Sequence, residues 1–100
     1  MQKDKWIRSL FRLKRNHLAE VLTFHADEKH LLCELVQRHR VSLSEADSPA
    51  SRASLVLKNL LDIKRLQTER SLRFIAMKHR HEEEVANLFR FQKLTSAVMT

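Results

Sequence analysis

Apolar residues recur at helical spacing along almost the whole chain. Over the first forty residues, seven positions share one face at 100° per residue, and six more form a shoulder beside it. The face comprises Ile7, Phe11, Leu18, Val21, Leu22, Leu32 and Val36, and the shoulder comprises Trp6, Leu10, Leu13, Phe24, Leu31 and Leu35. Together they cover about half of the circumference, which is wider than a simple coiled-coil seam. The pattern predicts an amphipathic helix over residues 3–41.

The second half of the chain carries a less even apolar stripe. It is dense from Ala53 to Ile63 and resumes at Phe74, but polar residues dilute it between Gln67 and Ser71. Near the end the stripe rotates, so that the last apolar residues point away from the earlier ones. The pattern predicts a second helix over residues 49–97 and leaves open a break near Gln67–Ser71.

The segment between the two stripes is the one place where the pattern indicates a corner. It holds the single proline, Pro49, in a chain without glycine. Ser48 is a suitable N-cap, and a proline at the first helical position loses no hydrogen bond. A short turn over residues 42–48 makes the two helices antiparallel neighbours. We therefore predict an all-α fold, a long antiparallel two-helix hairpin that is coiled-coil-like and forms one domain over residues 1–100.

Folding back at this corner predicts a set of apolar pairs between the helices. They are Leu35 with Leu57, Leu31 with Leu61, Leu18 with Phe74, and Ile7 with Val85. One seam hides only part of so wide an apolar arc, and residues after Leu88 are expected to extend past the amino terminus. Uncovered apolar patches usually mark an interface. The predicted partner-binding residues are Trp6, Leu10, Leu13, Phe24, Leu31, Leu88, Phe89, Phe91, Leu94 and Val98.

The partner expected at this surface is a protein, either a second copy that completes a helical bundle or a different chain. The hypothesis is therefore a non-enzymatic interaction module such as an adaptor, a chaperone or an assembly subunit. The outline is similar to that of other basic antiparallel helical hairpins, including stalk components of export ATPases, helical cofactors, and small cytoskeletal or assembly subunits. That resemblance is architectural and implies no role for any residue.

Catalytic and metal-binding patterns are missing from the sequence. A chain without glycine has no phosphate-cradling loop. His79 and His81 are two residues apart, so on a helix their rings point about 200° apart and cannot share one ion. Cys33, the single cysteine, lies inside a helix, away from the helix N-terminus that would activate a thiolate. We expect no enzymatic activity, no metal and no cofactor.

Charge gives an alternative function. The formal net charge is +7, and residues 1–20 contribute +4 from six basic and two acidic groups. Lys5, Arg8, Arg12 and Arg15 recur every three or four residues, so they form a basic ridge opposite the apolar arc. Such a ridge suits nucleic acid or an anionic surface. Because no aromatic residue is interleaved with it, we expect a protein partner more than nucleic acid.

The sequence also bears on where the protein works. Arginine and lysine interrupt the first apolar stretch, which excludes a secretory signal there, and no run reaches the ~20 apolar residues of a membrane span. These features favour a cytoplasmic protein. The arginine-rich amphipathic start is also similar to a mitochondrial targeting segment, so that location stays open.

Overall fold

The computed structural model describes the backbone of residues 2–99 and the side chains of residues 4–94. Helix α1 spans Gln2–Ser44 and helix α2 spans Pro49–Met99. The two helices pack against each other, and the described residues contain no strand. The predicted all-α helical hairpin is therefore confirmed. Helix α2 is continuous through Gln67–Ser71, so the alternative of a break there is wrong.

The start of α2 is fixed by the hydrogen bonds that the sequence predicted. The Ser48 hydroxyl oxygen accepts a hydrogen bond from the Ser51 backbone N–H at 3.1 Å, and Pro49 is the first residue of α2. The Arg52 N–H donates to the Ser48 carbonyl at 3.0 Å, which is the first intrahelical bond. Because the Ser48 side chain satisfies one of the free N–H groups at the helix start, its assignment as the N-cap is confirmed.

The end of α1 lies one turn later than predicted. The predicted end is near Val41, whereas α1 continues to Ser44. The Ser44 hydroxyl donates to the Val41 carbonyl at 2.7 Å, and the Glu45 N–H reaches the same carbonyl at 3.3 Å. Serine suits turns because its side chain bonds to nearby backbone, and here that bond satisfies a carbonyl of the last helical turn.

The chain forms two compact units, and each contains part of both helices. Unit 1 comprises Met1–Thr23 with Phe74–Thr100, and unit 2 comprises Phe24–Arg73, including the corner. Within each unit the helices are antiparallel. In unit 1, Trp6 lies against Phe89, whereas His17 lies against His81.

Most of the side chains buried between the helices are polar. Among the described side chains, Met77 is the one buried apolar residue, while His17, Asn59, Arg70 and His81 are also buried. Packing usually places apolar residues inside and leaves charged ones at the surface, so this interior is unusual. Polar side chains therefore make up most of the fully buried positions, while apolar side chains such as Trp6, Leu35 and Leu66 are half-buried.

Three of the four predicted apolar pairs contain an exposed leucine and are wrong, whereas both residues of the fourth pair, Ile7 and Val85, are half-buried. Leu18, Leu57 and Leu61 are exposed, although each was expected to meet the other helix. Asn59 lies two residues from both Leu57 and Leu61, so it points to the opposite side of α2. In unit 2, α2 thus meets α1 through the side that carries Asn59. Five of the six shoulder residues of α1 are half-buried, compared with four of the seven residues on its main apolar face.

Large apolar side chains are correspondingly exposed in both units. In unit 1 they are Phe11, Leu18, Leu22, Ile75, Phe89, Phe91 and Leu94, and in unit 2 they are Leu31, Val41, Val56, Leu57, Leu60, Leu61 and Leu72. Burying one such side chain fully is worth about 1.5–3 kcal/mol. The fold therefore leaves a large part of its available hydrophobic stabilisation unused. Within the described residues, neither α1 nor α2 contains an apolar stretch that could span a lipid bilayer.

Candidate functional site

A cluster of charged and aromatic side chains joins the helices of unit 1. The rings of His17 and His81 are stacked, with centroids 3.9 Å apart and planes 11° from parallel. Glu84 approaches His17, with 3.2 Å between Oε2 and Nε2, and its other oxygen lies 3.8 Å from Nε of Arg80. Glu20 pairs with Arg80 from the opposite helix. We call these five residues the histidine cluster.

Burial disfavours a proton on His81. Its ring is almost fully covered, and this desolvation lowers the pKa of His81 below its ordinary value of 6.5. The neighbouring His17 and Arg80 lower that pKa further, whereas Glu84 opposes them. Nε2 of His81 lies 3.5 Å from a Glu20 oxygen without forming a hydrogen bond. His81 is thus held largely as neutral imidazole near neutral pH.

The histidine cluster does not have the arrangement of a metal centre. No group of three or more histidine, cysteine, aspartate or glutamate side chains among the described residues is placed to hold an ion. Stacked imidazoles present their faces to each other, whereas a metal ligand must direct a ring nitrogen at the ion. What the cluster can do is fix the pairing of the helices through contacts that depend on protonation.

Unit 2 is joined by a buried arginine and a histidine–aspartate contact. The Arg70 guanidinium lies 4.0 Å from the centre of the Phe24 ring, and its Nη2 donates to the Phe24 carbonyl at 3.0 Å. Its Nε is buried without a hydrogen bond. Nε2 of His39 lies 3.5 Å from Oδ2 of Asp62. Arginine can stack on an aromatic ring while its stem packs against apolar neighbours, which explains how a charged residue enters this interior.

An open groove lies beside this contact in unit 2, with a volume of about 230 Å³. Its lining is Leu31, Leu35, Arg38, Asp62, Arg65, Leu66 and Glu69. Small-molecule sites are usually enclosed and mostly apolar, with a few convergent polar groups. This groove is open and four of its seven lining residues are charged, so it does not resemble such a site.

The predicted partner-binding residues fall into two groups. Trp6, Leu10, Leu13, Phe24 and Leu88 are half-buried, whereas Leu31, Phe89, Phe91 and Leu94 are exposed. Val98 lies outside the residues whose side chains are described. The Trp6 and Phe89 rings meet edge to face with centroids 5.1 Å apart. Antiparallel pairing in unit 1 therefore reaches at least to Phe89, and the apolar side chains of Phe91 and Leu94 beyond it are exposed.

The predicted basic ridge lies on the solvent side of α1. Lys5, Arg8, Arg12 and Arg15 are all exposed. None of them forms a salt bridge with a carboxylate in the part of the chain whose side chains are described. Their charges are thus available to an external anion. Cys33 is exposed as a free thiol.

The apolar pattern does not single out Arg70 or His81, although both are buried and contact the opposite helix. The spacing of Met77 and His81 could have indicated that His81 is buried, because residues four apart share a helix face.

Comparison with known proteins identifies no relative. No protein-family model matches the chain. No curated protein matches it. No solved structure matches it either. The function is therefore inferred from the chain's own surfaces.

Proposed function

We propose that this chain is a non-enzymatic protein-interaction module that works as an adaptor, a chaperone or an assembly subunit. The observation that supports this proposal is that far more large apolar side chains are exposed than are buried. Met77 is the buried apolar residue of the described side chains, whereas fourteen large apolar side chains are exposed. A partner that covers several of them gains the hydrophobic stabilisation that the hairpin leaves unused.

The partner surface in unit 1 centres on the end of α2. Phe91 and Leu94 are three residues apart, so they share one side of the helix, and both are exposed. Phe89 points to another side, where its ring is held by Trp6. A helix from a second copy or from a different protein would cover Phe91 and Leu94 as a pair of anchors.

The test is the intact mass of the complex that the full-length chain forms when it is purified from native extract. The double variant Phe91→Ser with Leu94→Ser is expected to lose the bound partner or its second copy. Phe11→Ser is the matched control, because Phe11 is 71% exposed and Phe91 is 68% exposed. If the unmodified chain has the mass of a monomer, and neither variant changes it, the proposal fails.

A second candidate function is the binding of an anionic polymer along the basic ridge. It is favoured by the exposure of Lys5, Arg8, Arg12 and Arg15 and by the lack of described salt bridges to them. Neutralising phosphates makes affinity fall steeply with salt. Replacing Arg8, Arg12 and Arg15 by glutamine should reduce binding to single-stranded RNA and flatten its salt dependence.

A control of equal charge separates a ridge from the overall positive charge. Replacing the exposed Arg52, Arg65 and Arg73 by glutamine removes the same charge elsewhere. Equal weakening by both triple variants would show that RNA binding follows net charge alone, and the ridge would then have no specific role.

A further inference from the structure

Unit 2 carries an exposed leucine patch on α2 that is bordered by positive charge. Leu57, Leu60 and Leu61 are spaced three and four residues apart, so they lie together on one side of the helix. All three are more than half exposed. Asn59, which points the opposite way, is buried. The patch therefore faces away from the α1 segment of unit 2, and no described residue of that unit covers it.

The exposed charged residues within the segment from Leu57 to Arg65 are all basic. Lys58 and Arg65 lie along one edge, and Lys64 follows the leucines on the next turn. All three are exposed, and none forms a salt bridge with a described carboxylate. Asp62, the one acidic residue in this stretch, is directed to His39. We call the three leucines with Lys58, Lys64 and Arg65 the basic-rimmed patch.

We propose that the basic-rimmed patch binds an amphipathic helix of another protein whose leucine-rich face is bordered by aspartate and glutamate. Exposed apolar patches with a polar rim mark interaction sites, and complementary charge sets the choice of partner. The proposal goes beyond the function proposed above, because it assigns a different surface and a partner chemistry. It holds or fails independently of Phe91 and Leu94.

The rim argues against a second copy of this chain at the same place. A symmetric pairing of two patches brings Lys58, Lys64 and Arg65 of each copy near the same residues of the other. Like charges placed together across an interface oppose association. An acidic partner helix removes that repulsion and gains attraction instead.

The length and content of the patch argue against an anionic membrane. The three leucines span five residues, little more than one helical turn, before Lys64 follows on the same side. Helices that lie in a membrane surface usually have a longer apolar face that includes tryptophan or phenylalanine. The patch contains neither residue, and a short leucine-rich contact suits a crossing helix.

The experiment measures binding of a fluorescent synthetic peptide to the full-length chain. The probe is a twenty-residue amphipathic helix with a leucine stripe bordered by glutamate, and its control has lysine in place of each glutamate. We expect saturable binding of the acidic peptide, which weakens several-fold between 50 and 300 mM salt. The lysine peptide should bind at least about tenfold more weakly, because it meets the rim with like charge.

Matched variants of the protein show whether the patch is the site. Leu57→Ser with Leu61→Ser should weaken acidic-peptide binding at least about tenfold, which is the usual effect of removing interface anchors. Leu72→Ser is the control, because Leu72 is 63% exposed and Leu57 is 62% exposed. Circular dichroism should show unchanged helix content, since these side chains already face water.

A charge exchange tests the rim. Lys64→Glu with Arg65→Glu should reverse the preference and favour the lysine peptide. Arg12→Glu with Arg15→Glu changes the net charge equally on α1 and should leave the order of the two peptides unchanged. The proposal is overturned if the acidic peptide does not bind. It is also overturned if the two charge exchanges have the same effect on the preference between the acidic and the lysine peptide.

Two further measurements identify a different occupant. A concentration-dependent dimer mass that disappears in the Leu57→Ser, Leu61→Ser variant would assign the patch to a second copy. Co-sedimentation with phosphatidylserine vesicles that requires the same leucines, combined with no peptide binding, would assign it to a membrane. Either result overturns the proposal, while the Phe91 and Leu94 test of the proposed function is unaffected.

Discussion

Two residues on α2 distinguish the observed helix packing from the packing that the apolar stripe predicted. Met77 is 8% exposed, whereas Ile75, the apolar residue next to Phe74 where the stripe resumes, is 53% exposed. Both lie in unit 1 and inside α2, and alanine is the residue that favours helix most. We expect Met77→Ala to destabilise the protein clearly and Ile75→Ala to have a small effect.

The expected magnitudes follow from burial. Met77→Ala removes three heavy atoms from a covered position, and at about 0.8 kcal/mol per methylene-sized group this costs about 2 kcal/mol after a small gain in helix propensity. Ile75→Ala removes a comparable volume from a position that is about half exposed, so the transfer loss is about 1 kcal/mol. Alanine favours helix over isoleucine by roughly 0.4 kcal/mol, which leaves a net cost of about 0.6 kcal/mol.

The assay is urea unfolding followed by far-ultraviolet circular dichroism, because loss of helix reports on the whole chain. Each variant is measured at two protein concentrations, since self-association makes apparent stability depend on concentration. A loss for Ile75→Ala that equals or exceeds the loss for Met77→Ala at both concentrations would refute the packing described here. It would instead support the register predicted from the apolar stripe.

Three further predictions concern the corner and the polar interior. Ser48→Ala should lower the free energy of unfolding by about 1 kcal/mol because it removes the N-cap of α2. Ser44→Ala, at the end of α1, should lower it by less. A larger loss for Ser44→Ala than for Ser48→Ala would contradict the assignment of Ser48 as the N-cap. The pKa of His81 is lower in the folded chain than in the unfolded chain. As the pH falls, His81 is therefore protonated in the unfolded chain at a higher pH than in the folded chain. The stability that neutral His81 contributes is present above pH 6.5 and is lost as the pH falls through the lowered pKa. The urea midpoint of the chain should fall as the pH is lowered from 8 to 5, and this fall should be smaller in the His81→Phe variant. If the variant shows the same pH dependence as the original chain, His81 does not have this role. Arg70→Lys should cost about 1 kcal/mol in the same assay, because an ammonium cannot keep the planar stacking on Phe24, and a neutral result would show that the charge alone matters.

The sequence predicted both helices and the corner because these depend on local chemistry. A hydroxyl at Ser48 followed by Pro49 specifies a helix start without any knowledge of the partner helix. The uninterrupted helical spacing on either side predicted the two long elements. The end of α1 was less certain because Ser44 can bond to its own helix or form a turn.

The sequence could not predict which sides of the helices meet. Apolar content favoured Leu57 and Leu61 as interior, but both face solvent. Arg70 enters the interior because Phe24 offers both a ring and a carbonyl, and His81 enters because His17 stacks on it. The stabilisation in each case comes from a pair of side chains on different helices. The hydrophobicity of single residues, taken one at a time, cannot predict such pairs. The exposed sites that we propose follow from this arrangement.

The central claim is that polar side chains occupy most of the fully buried positions of the hairpin, while many large apolar side chains face solvent. Hydroxyl-radical footprinting of the full-length chain, at a concentration where its mass is that of one copy, tests this claim most directly. We predict rapid modification of Phe11, Leu57 and Leu61 and protection of Met77, although methionine is intrinsically more reactive. Protection of Leu57 and Leu61 with rapid oxidation of Met77 would contradict the account.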